Sequence, residues 1–329
     1  MRGQRRRTLA LTTELSLQEI EEAAEVVYRS MPATPQYRWP TLDARVGASV
    51  WVKHENHAPT GAFKVRGGLV YMDELVRSGD RPAGVIAATR GNHGQSVGFA
   101  ARQYGIPAAV VVPVGNSVEK NAAMRALGVE LIEHGTDFQE SREYAARLAI
   151  ERGLHMIPAF HPHIVRGVAT YALELLRGVP DLATVYVPIG QGSGISGMIA
   201  ARDALGLKTE IVGVVSAHAP AYKLSFESRK AVEHAVTTEL ADGMACRVPD
   251  AAALDIIWRG AARVLEVTDA EVAAAMRLYF SATHSTAEGA GAAPLAAALQ
   301  ERARNGGKRI AVVLTGGNVD RDVFARVLA

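Results

Sequence analysis

Two stretches of the chain carry residue types that could do chemistry together. In GAFKVRGG, residues 61–68, Lys64 stands between Phe63 and Val65, with Gly61 and Ala62 before it and Gly67 and Gly68 after. Lysines favour solvated faces with polar neighbours. An amine in this company is either partly dry, accessible and reactive, or a surface lysine at a loop-to-helix junction. The second stretch is VPIGQGSGISG, residues 187–197, with a literal G-x-G-x-x-G in Gly192, Gly194 and Gly197. A dinucleotide fingerprint also wants an acid at the end of the following strand. That strand ends in Val215, Ser216 and Ala217, so NAD binding is disfavoured. The loop remains either a phosphate cup, closed by backbone amides and a helix dipole, or a tight turn that binds nothing.

A reactive lysine and a separate phosphate cup suit one cofactor in particular. Pyridoxal phosphate forms a Schiff base with a lysine and needs its phosphate anchored elsewhere.

The elements that must position these groups read as alternating strands and helices. Strands are expected at 84–89, 108–113 and 129–134, with HMIPAF (155–160) closing that run. Helices are expected over 92–104, VEKNAAMRAL and DFQESREYAARLAIERG. A second series has helices near 164–177 and 194–205 and strands at 184–189 and 210–216. Helices at 269–283 and around 288–303, the strand RIAVVLT (309–315) and a last helix follow. Such alternation predicts an α/β fold of two doubly wound parallel-sheet lobes with a cleft between them. Glycines fall where strands end and helices begin, at Gly91, at 190–197 and at Gly316-Gly317. Ligands collect at that edge of such sheets, and helix N-termini there hold anions.

Composition narrows the function classes. The 329 residues are 48% hydrophobic with a formal net charge of +2, which suits one or two domains and shows no basic face for nucleic acid. The sole cysteine, Cys246, excludes an internal disulfide framework and any cysteine-built zinc site. MRGQRRRTLALTT is basic without a long apolar run, and SLQEIEEAAEVVYRS reads as an amphipathic helix with a Ser16/Glu19 capping box. No secretory signal or membrane span is expected, and a cytoplasmic location fits.

At this point the chain resembles the serine/threonine dehydratase and serine racemase family, pyridoxal-phosphate enzymes of fold type II. KHENHAPTGAFKVRGG is similar to that family's Schiff-base segment, TRGNHGQS (89–96) to its S-x-G-N-H-G/A-Q loop, TGGNVD (315–320) to its S-G-G-N-x-D ending, and ADGMA (241–245) to a further short element. The resemblance runs from about Leu15 to the C-terminus. It implies that Lys64 holds pyridoxal 5'-phosphate, with Phe63 against the ring face and Asn92 at the ring hydroxyl. Gly190, Gln191, Gly192, Ser193 and Gly194 would cradle the phosphate. Thr315 would lie beside the pyridine nitrogen, Gly316 would also contact the cofactor, and Glu288, in AEGAG, would lie near the ring. Thr89, Arg90, Gly91, Asn92 and His93 would grip the substrate carboxylate. Residues 1–82 and 161–329 would form the large cofactor-binding domain and 83–160 the small substrate-gripping one. A homodimer is implied in the same way.

The implied activity is β-elimination from a 3-hydroxy L-amino acid, L-threonine or L-serine first, giving a 2-oxo acid and ammonia. Lys64 would take the α-proton. A hydroxyl at 315, rather than a carboxylate, leaves charge at Cα less stabilised, so expulsion of the β-hydroxyl competes well against transamination. Rival readings are a racemase or epimerase, and a nucleotide or amino-acid binding module.

Four departures matter. The loop G-Q-G-S-G replaces a run of four glycines, so Gln191 and Ser193 must fit and could donate to phosphate. Arg90 stands where racemases carry a proton-handling serine, and an arginine cannot serve as acid/base, which argues against racemisation. Arg90 could instead reach an acidic substrate group, or be a surface or salt-bridged arginine. VVSAHAPAY (214–222) lacks the acid that relatives use for a divalent cation, so no metal is expected there. AFHPHIVRGVATYAL (159–173) brings His161, His163 and Arg166, expected to alter the side-chain pocket and admit a bulkier or acidic substrate such as 3-phenylserine or 3-hydroxyaspartate. The chain stops soon after TGGNVD, so feedback through an added domain is not expected.

Overall fold

The computed structural model describes residues 14–79 and 81–329. The basic N-terminal stretch lies outside the described residues. Ten strands run in chain order as β1 (Gln36–Arg38), β2 (Ser49–His54), β3 (Val85–Ala88), β4 (Ala108–Val112), β5 (Glu130–Glu133), β6 (His155–Met156), β7 (Thr184–Pro188), β8 (Glu210–Ser216), β9 (Ala261–Val267) and β10 (Arg309–Leu314). They form a six-stranded sheet in the order β1-β2-β10-β7-β8-β9 and a four-stranded sheet in the order β5-β4-β3-β6. All neighbours are parallel except β1 with β2.

Helices cover both faces of each sheet, and the central strands are continuous apolar runs for that reason. Every residue of β3 and β7 is buried. One core packs Val185, Val187, Ala311 and Val313 against the helices Leu17–Tyr28, Lys64–Arg77, Pro162–Gly178 and Ser193–Ala204. On the opposite face Tyr186, Val212, Val214 and Val312 meet the helices Asp269–Thr283 and Gly289–Gln300. In the smaller sheet Ile86, Ala88 and Val111 pack on Phe138–Arg152, while Val110 and Val112 meet Met124. The predicted first helix forms, with its Ser16–Glu19 capping box intact.

Sequence reading did not name β1, β2 or β9. The edge strand β9 begins at the residue after the helix Ala251–Gly260 ends, with no turn between them. Its burial is broken, and its pairing with β8 shifts register at Ile211/Val212. Gly260 ends the helix directly before it, and pairing with β8 completes the strand.

Three glycines bring the Lys64 helix close to its neighbours. A Cβ on Gly67 would lie 2.8 Å from Ile164 Cγ2, and one on Gly167 would lie 2.4 Å from the Arg66 carbonyl oxygen. A Cβ on Gly68 would lie 2.2 Å from Ser96 Oγ. Beneath this crossing sits a buried ionic network. Arg66 Nε binds Glu55 at 2.8 Å and a terminal nitrogen binds Glu174 at 2.6 Å. Lys53 Nζ reaches Glu174 at 2.5 Å and the Thr34 carbonyl at 2.8 Å. Lys53, Glu55 and Arg66 are fully buried, so each charge depends on the others.

Candidate active site

The strands β2, β7 and β10 deliver three loops to the carboxyl edge of the large sheet: 55–63, 189–192 and 315–320. The loop 89–91 leaves the corresponding edge of β3 in the small sheet. The four converge. Phe63 N–H donates to the Thr315 carbonyl at 3.0 Å, Gly317 N–H to the Gly61 carbonyl at 2.9 Å, and Ala62 bridges Gly316. The segment before Lys64 is thus strapped to the segment after β10. Ser96 Oγ donates to the Lys64 carbonyl at 2.6 Å, tying the lysine to the small sheet's first helix.

Lys64 opens the helix Lys64–Arg77, and its Nζ lies 5.0 Å from the Phe63 ring centroid. Burial pushes its ammonium down to about 8, while the charge of Glu288 opposes that shift. No carboxylate pairs with it within 4.0 Å among the described residues. With a pKa of about 8, roughly a tenth of the side chain is free amine at pH 7, against about one part in three thousand for an ordinary lysine. The dry and reactive reading of Lys64 describes it better than the surface one.

Two cavities meet at this amine. One is lined by Lys64, Ala88, Thr89 to His93, Lys120, Phe138, Ala159, Gly190, Gln191 and residues 242–246 apart from Met244. The other joins Phe63, Lys64, Asn92, Glu288 and Thr315 to the glycine loop Gly190–Gly194. That loop is the first turn of the helix Ser193–Ala204, where backbone N–H groups lack intrahelical partners. Gly192 holds φ at +94°, and a Cβ on Gly190 would lie 2.4 Å from the Gly243 carbonyl. Only glycine leaves this cup open. The structure gives the Gln191 side chain another duty than the phosphate contact expected of it: Nε2 faces Cys246 Sγ at 3.3 Å, so Gln191 can serve the cup through its backbone. Burial pushes the Cys246 thiol up to about 12, which disfavours its thiolate.

Asn92 donates to Glu288 Oε1 at 2.6 Å and accepts from Asn318 Nδ2 at 2.9 Å, which leaves one amide hydrogen free. Glu288 precedes the helix Gly289–Gln300 and is buried. Burial raises its carboxyl, Lys120 opposes that, and Asp242 adds to it. Thr89 Oγ1 accepts from the Gly91 amide at 2.9 Å and the Thr89 amide donates to the Val111 carbonyl at 3.0 Å, so two of the amides expected to grip a carboxylate are already engaged. His93 is buried and pushed down to about 3, first by burial and then by the Lys64 charge, and is neutral. Its Nε2 has no hydrogen-bond partner.

Sequence reading missed Lys120. Its ammonium crosses between the lobes to Asp242 at 2.7 Å and Glu288 at 3.1 Å. Burial works to lower its pKa, but Glu288 and Asp242 outweigh that and hold it above the usual lysine range. A Cβ on Gly91 would lie 2.3 Å from Lys120 Cδ. The glycine in TRGNHGQS therefore makes room for this side chain. Asp320 adds a second clasp, accepting from Ser117 Oγ at 2.5 Å and from the Glu119 amide at 3.2 Å.

His161, His163 and Arg166 do not line either cavity, contrary to expectation. Both imidazoles pack edge-on against Tyr71, and Arg166 pairs with Glu74. They begin the helix Pro162–Gly178 on the side that faces the Lys64 helix. Among the described residues no group of three or more His, Cys, Asp or Glu is placed to hold a metal ion, and no helix is long and apolar enough to cross a membrane.

A lysine poised between amine and ammonium, an aromatic wall and an anion cup opening on one cavity define an enzyme site for an aldehyde-bearing, phosphorylated cofactor. The chain belongs to the pyridoxal-phosphate dependent enzyme family, whose sequence model matches residues 29–316. It is 35% identical over 302 residues to an L-threonine ammonia-lyase of Geobacter sulfurreducens, covering 92% of this chain and 75% of that one. The processed form of threonine deaminase isoform 2 from Solanum lycopersicum superposes with a TM-score of 0.87 at 26% identity, covering 96% of this chain and 94% of the other. Maize serine racemase superposes at 0.88 with 27% identity, covering 94% and 96%.

Proposed function

We propose that this chain removes water and then ammonia from a 3-hydroxy L-amino acid, with L-threonine and L-serine as substrates. The observation that carries the proposal is the Lys64 amine, held down to about 8 where the two cavities meet. The relatives named for threonine support that substrate.

The residues present fit pyridoxal 5'-phosphate, since the glycine loop admits an anion and Lys64 an aldehyde at one cavity. Gly190, Gln191, Gly192, Ser193 and Gly194 would hold the phosphate, Phe63 one ring face, Asn92 the ring hydroxyl and Thr315 the ring nitrogen, and Gly316 would also contact the cofactor. The cofactor, when bound, supplies a carbonyl that joins an amine and a π-system that takes up the electron pair left at Cα. Backbone amides still free in the loop Thr89–His93 hold the substrate α-carboxylate at the N-terminus of the helix Asn92–Gln103. Lys64 Nζ takes the proton from Cα, and the Cβ–O bond breaks with hydroxide leaving as water once protonated. The released enamine tautomerises to an imine, and water hydrolyses it to a 2-oxo acid and ammonium. Arg90 stays charged throughout, so no base faces Cα from its position, and elimination is favoured over racemisation.

Residues 83–160 are taken as the small substrate-gripping domain, in a cytoplasmic homodimer. The test is Lys64→Ala. The wild-type protein should be yellow, should release 2-oxo acid from L-threonine, and should carry a phosphopyridoxyl group on Lys64 after borohydride. A Lys64→Ala protein that keeps colour and turnover sinks the proposal. Chiral analysis of L-serine incubations separates racemisation, and light scattering reads the dimer.

A further inference from the structure

Lys64, Arg90 and Lys120 are the cations lining the larger cavity, and Asp242 is its one carboxylate. Lys120 already has Asp242, and Glu288 besides. Lys64 is committed to the cofactor under the function proposed above. His93 is neutral. That leaves Arg90 as the uncompensated charge. Its Nε is buried without a hydrogen-bond partner, and it forms no ion pair with a described residue. A guanidinium is a rigid five-donor fork that fits a carboxylate through two parallel bonds. Leaving it unpaired in a half-enclosed cavity is unfavourable, and an anionic ligand relieves that.

The substrate's own α-carboxylate has another receptor, the amides that begin the helix Asn92–Gln103. The remaining walls, Phe138, Ala159, Ala245 and Cys246, offer no second cation. Nor does a histidine or arginine from 161–166 compete, since those side chains turn to Tyr71 and Glu74.

We infer that Arg90 is the receptor for a side-chain carboxylate, so that the substrates of this site include 3-hydroxy dicarboxylic amino acids, 3-hydroxy-L-aspartate foremost. The inference rests on the function proposed above and narrows its substrate class. The balance is that of the same reaction. Lys64 takes the Cα proton, the 3-hydroxyl leaves as water, and hydrolysis of the released imine gives the four-carbon 2-oxo dicarboxylate and ammonium.

The test compares L-threonine with threo-3-hydroxy-L-aspartate on the holoenzyme, wild type and with Arg90→Ala or Arg90→Lys. The wild type should turn over hydroxyaspartate with a kcat/KM at least equal to that for threonine. Arg90→Ala should lower it by roughly 10–100-fold, mostly through KM, and by at least about ten times more than it lowers threonine. Arg90→Lys should recover part of the loss. L-Aspartate has no 3-hydroxyl to lose, so its binding is read from the cofactor's absorbance; it should bind tighter than L-alanine in the wild type and lose that advantage in Arg90→Ala. Equal losses on both substrates would assign Arg90 to the α-carboxylate and overturn the inference. So would a wild-type enzyme that neither turns over hydroxyaspartate nor prefers aspartate to alanine. Failure of the underlying reaction would show separately, as no threonine turnover in the wild type. If Arg90→Ala does not fold, the wild-type aspartate preference and Arg90→Lys still decide.

Discussion

Replacing Lys120 by methionine removes the cation that two carboxylates share across the lobes while keeping most of the side-chain volume. At about 3 Å and an effective dielectric near 20, each of its ion pairs is worth roughly 5 kcal/mol before desolvation. The net effect depends on what the orphaned acids can do. Asp242 is 27% exposed and can turn to water, so its share is small, about 1 kcal/mol. Glu288 is 3% exposed and cannot. Breaking a buried pair in this way typically destabilises by about 3–5 kcal/mol, so Lys120→Met should lose that much near neutral pH. Glu288 has an escape, which is to take a proton. Its folded pKa is already raised by burial, and Lys120 is the group that opposes the rise. Without Lys120 it climbs further above the ordinary value of 4.5. A raised acid is stabilised when protonated, so the deficit is smallest at acid pH and grows as pH rises through the folded pKa. The deficit should therefore be larger at pH 8 than at pH 5.5. Urea unfolding of wild type and variant at both pH values measures this. Lys120→Met/Glu288→Gln should recover most of the loss and flatten its pH dependence. A deficit under about 1 kcal/mol at both pH values, or a double variant no better than the single one, would refute the assignment of Lys120 as counter-ion to Glu288.

Further outcomes follow from the same geometry. Because Lys64 must lose a proton to join the cofactor, uptake of pyridoxal phosphate by the apoprotein should quicken with rising pH and level off above about 8; a rate still climbing through pH 10 would mean an ordinary lysine. Arg66→Met leaves Glu55 fully buried without its guanidinium and should destabilise by about 3–5 kcal/mol in thermal or urea unfolding, whereas the half-exposed Arg309→Met should change little. Gly68→Ala places a Cβ 2.2 Å from Ser96 Oγ and 3.0 Å from the Ser96 carbonyl oxygen, so the helix crossing must open. It should lose about 1–3 kcal/mol and release cofactor faster on dilution, and an unchanged off-rate would show that the Ser96 contact does not steady Lys64.

The features legible along the chain are the local ones. Alternating apolar strands and amphipathic helices announce parallel sheets, and their spans match the structure to within a residue or two from 84 to 134. Glycines at strand-to-helix turns, and Lys64 among small and apolar neighbours, advertise a cup and an amine because the backbone there must do something that only glycine allows. What lies across the cleft is decided by tertiary structure. Lys120 reads as one more helix lysine until the fold sets it beside Asp242 and Glu288, more than 120 positions away. His161, His163 and Arg166 read as pocket residues until the Pro162–Gly178 helix packs on Lys64–Arg77 and turns them toward Tyr71 and Glu74. β9 exists because β8 pairs with it, not because its residues demand a strand. Periodicity and turn chemistry act between near neighbours along the chain. Charge pairing and the direction of a side chain depend on separations in space, which exist only once the two sheets have packed.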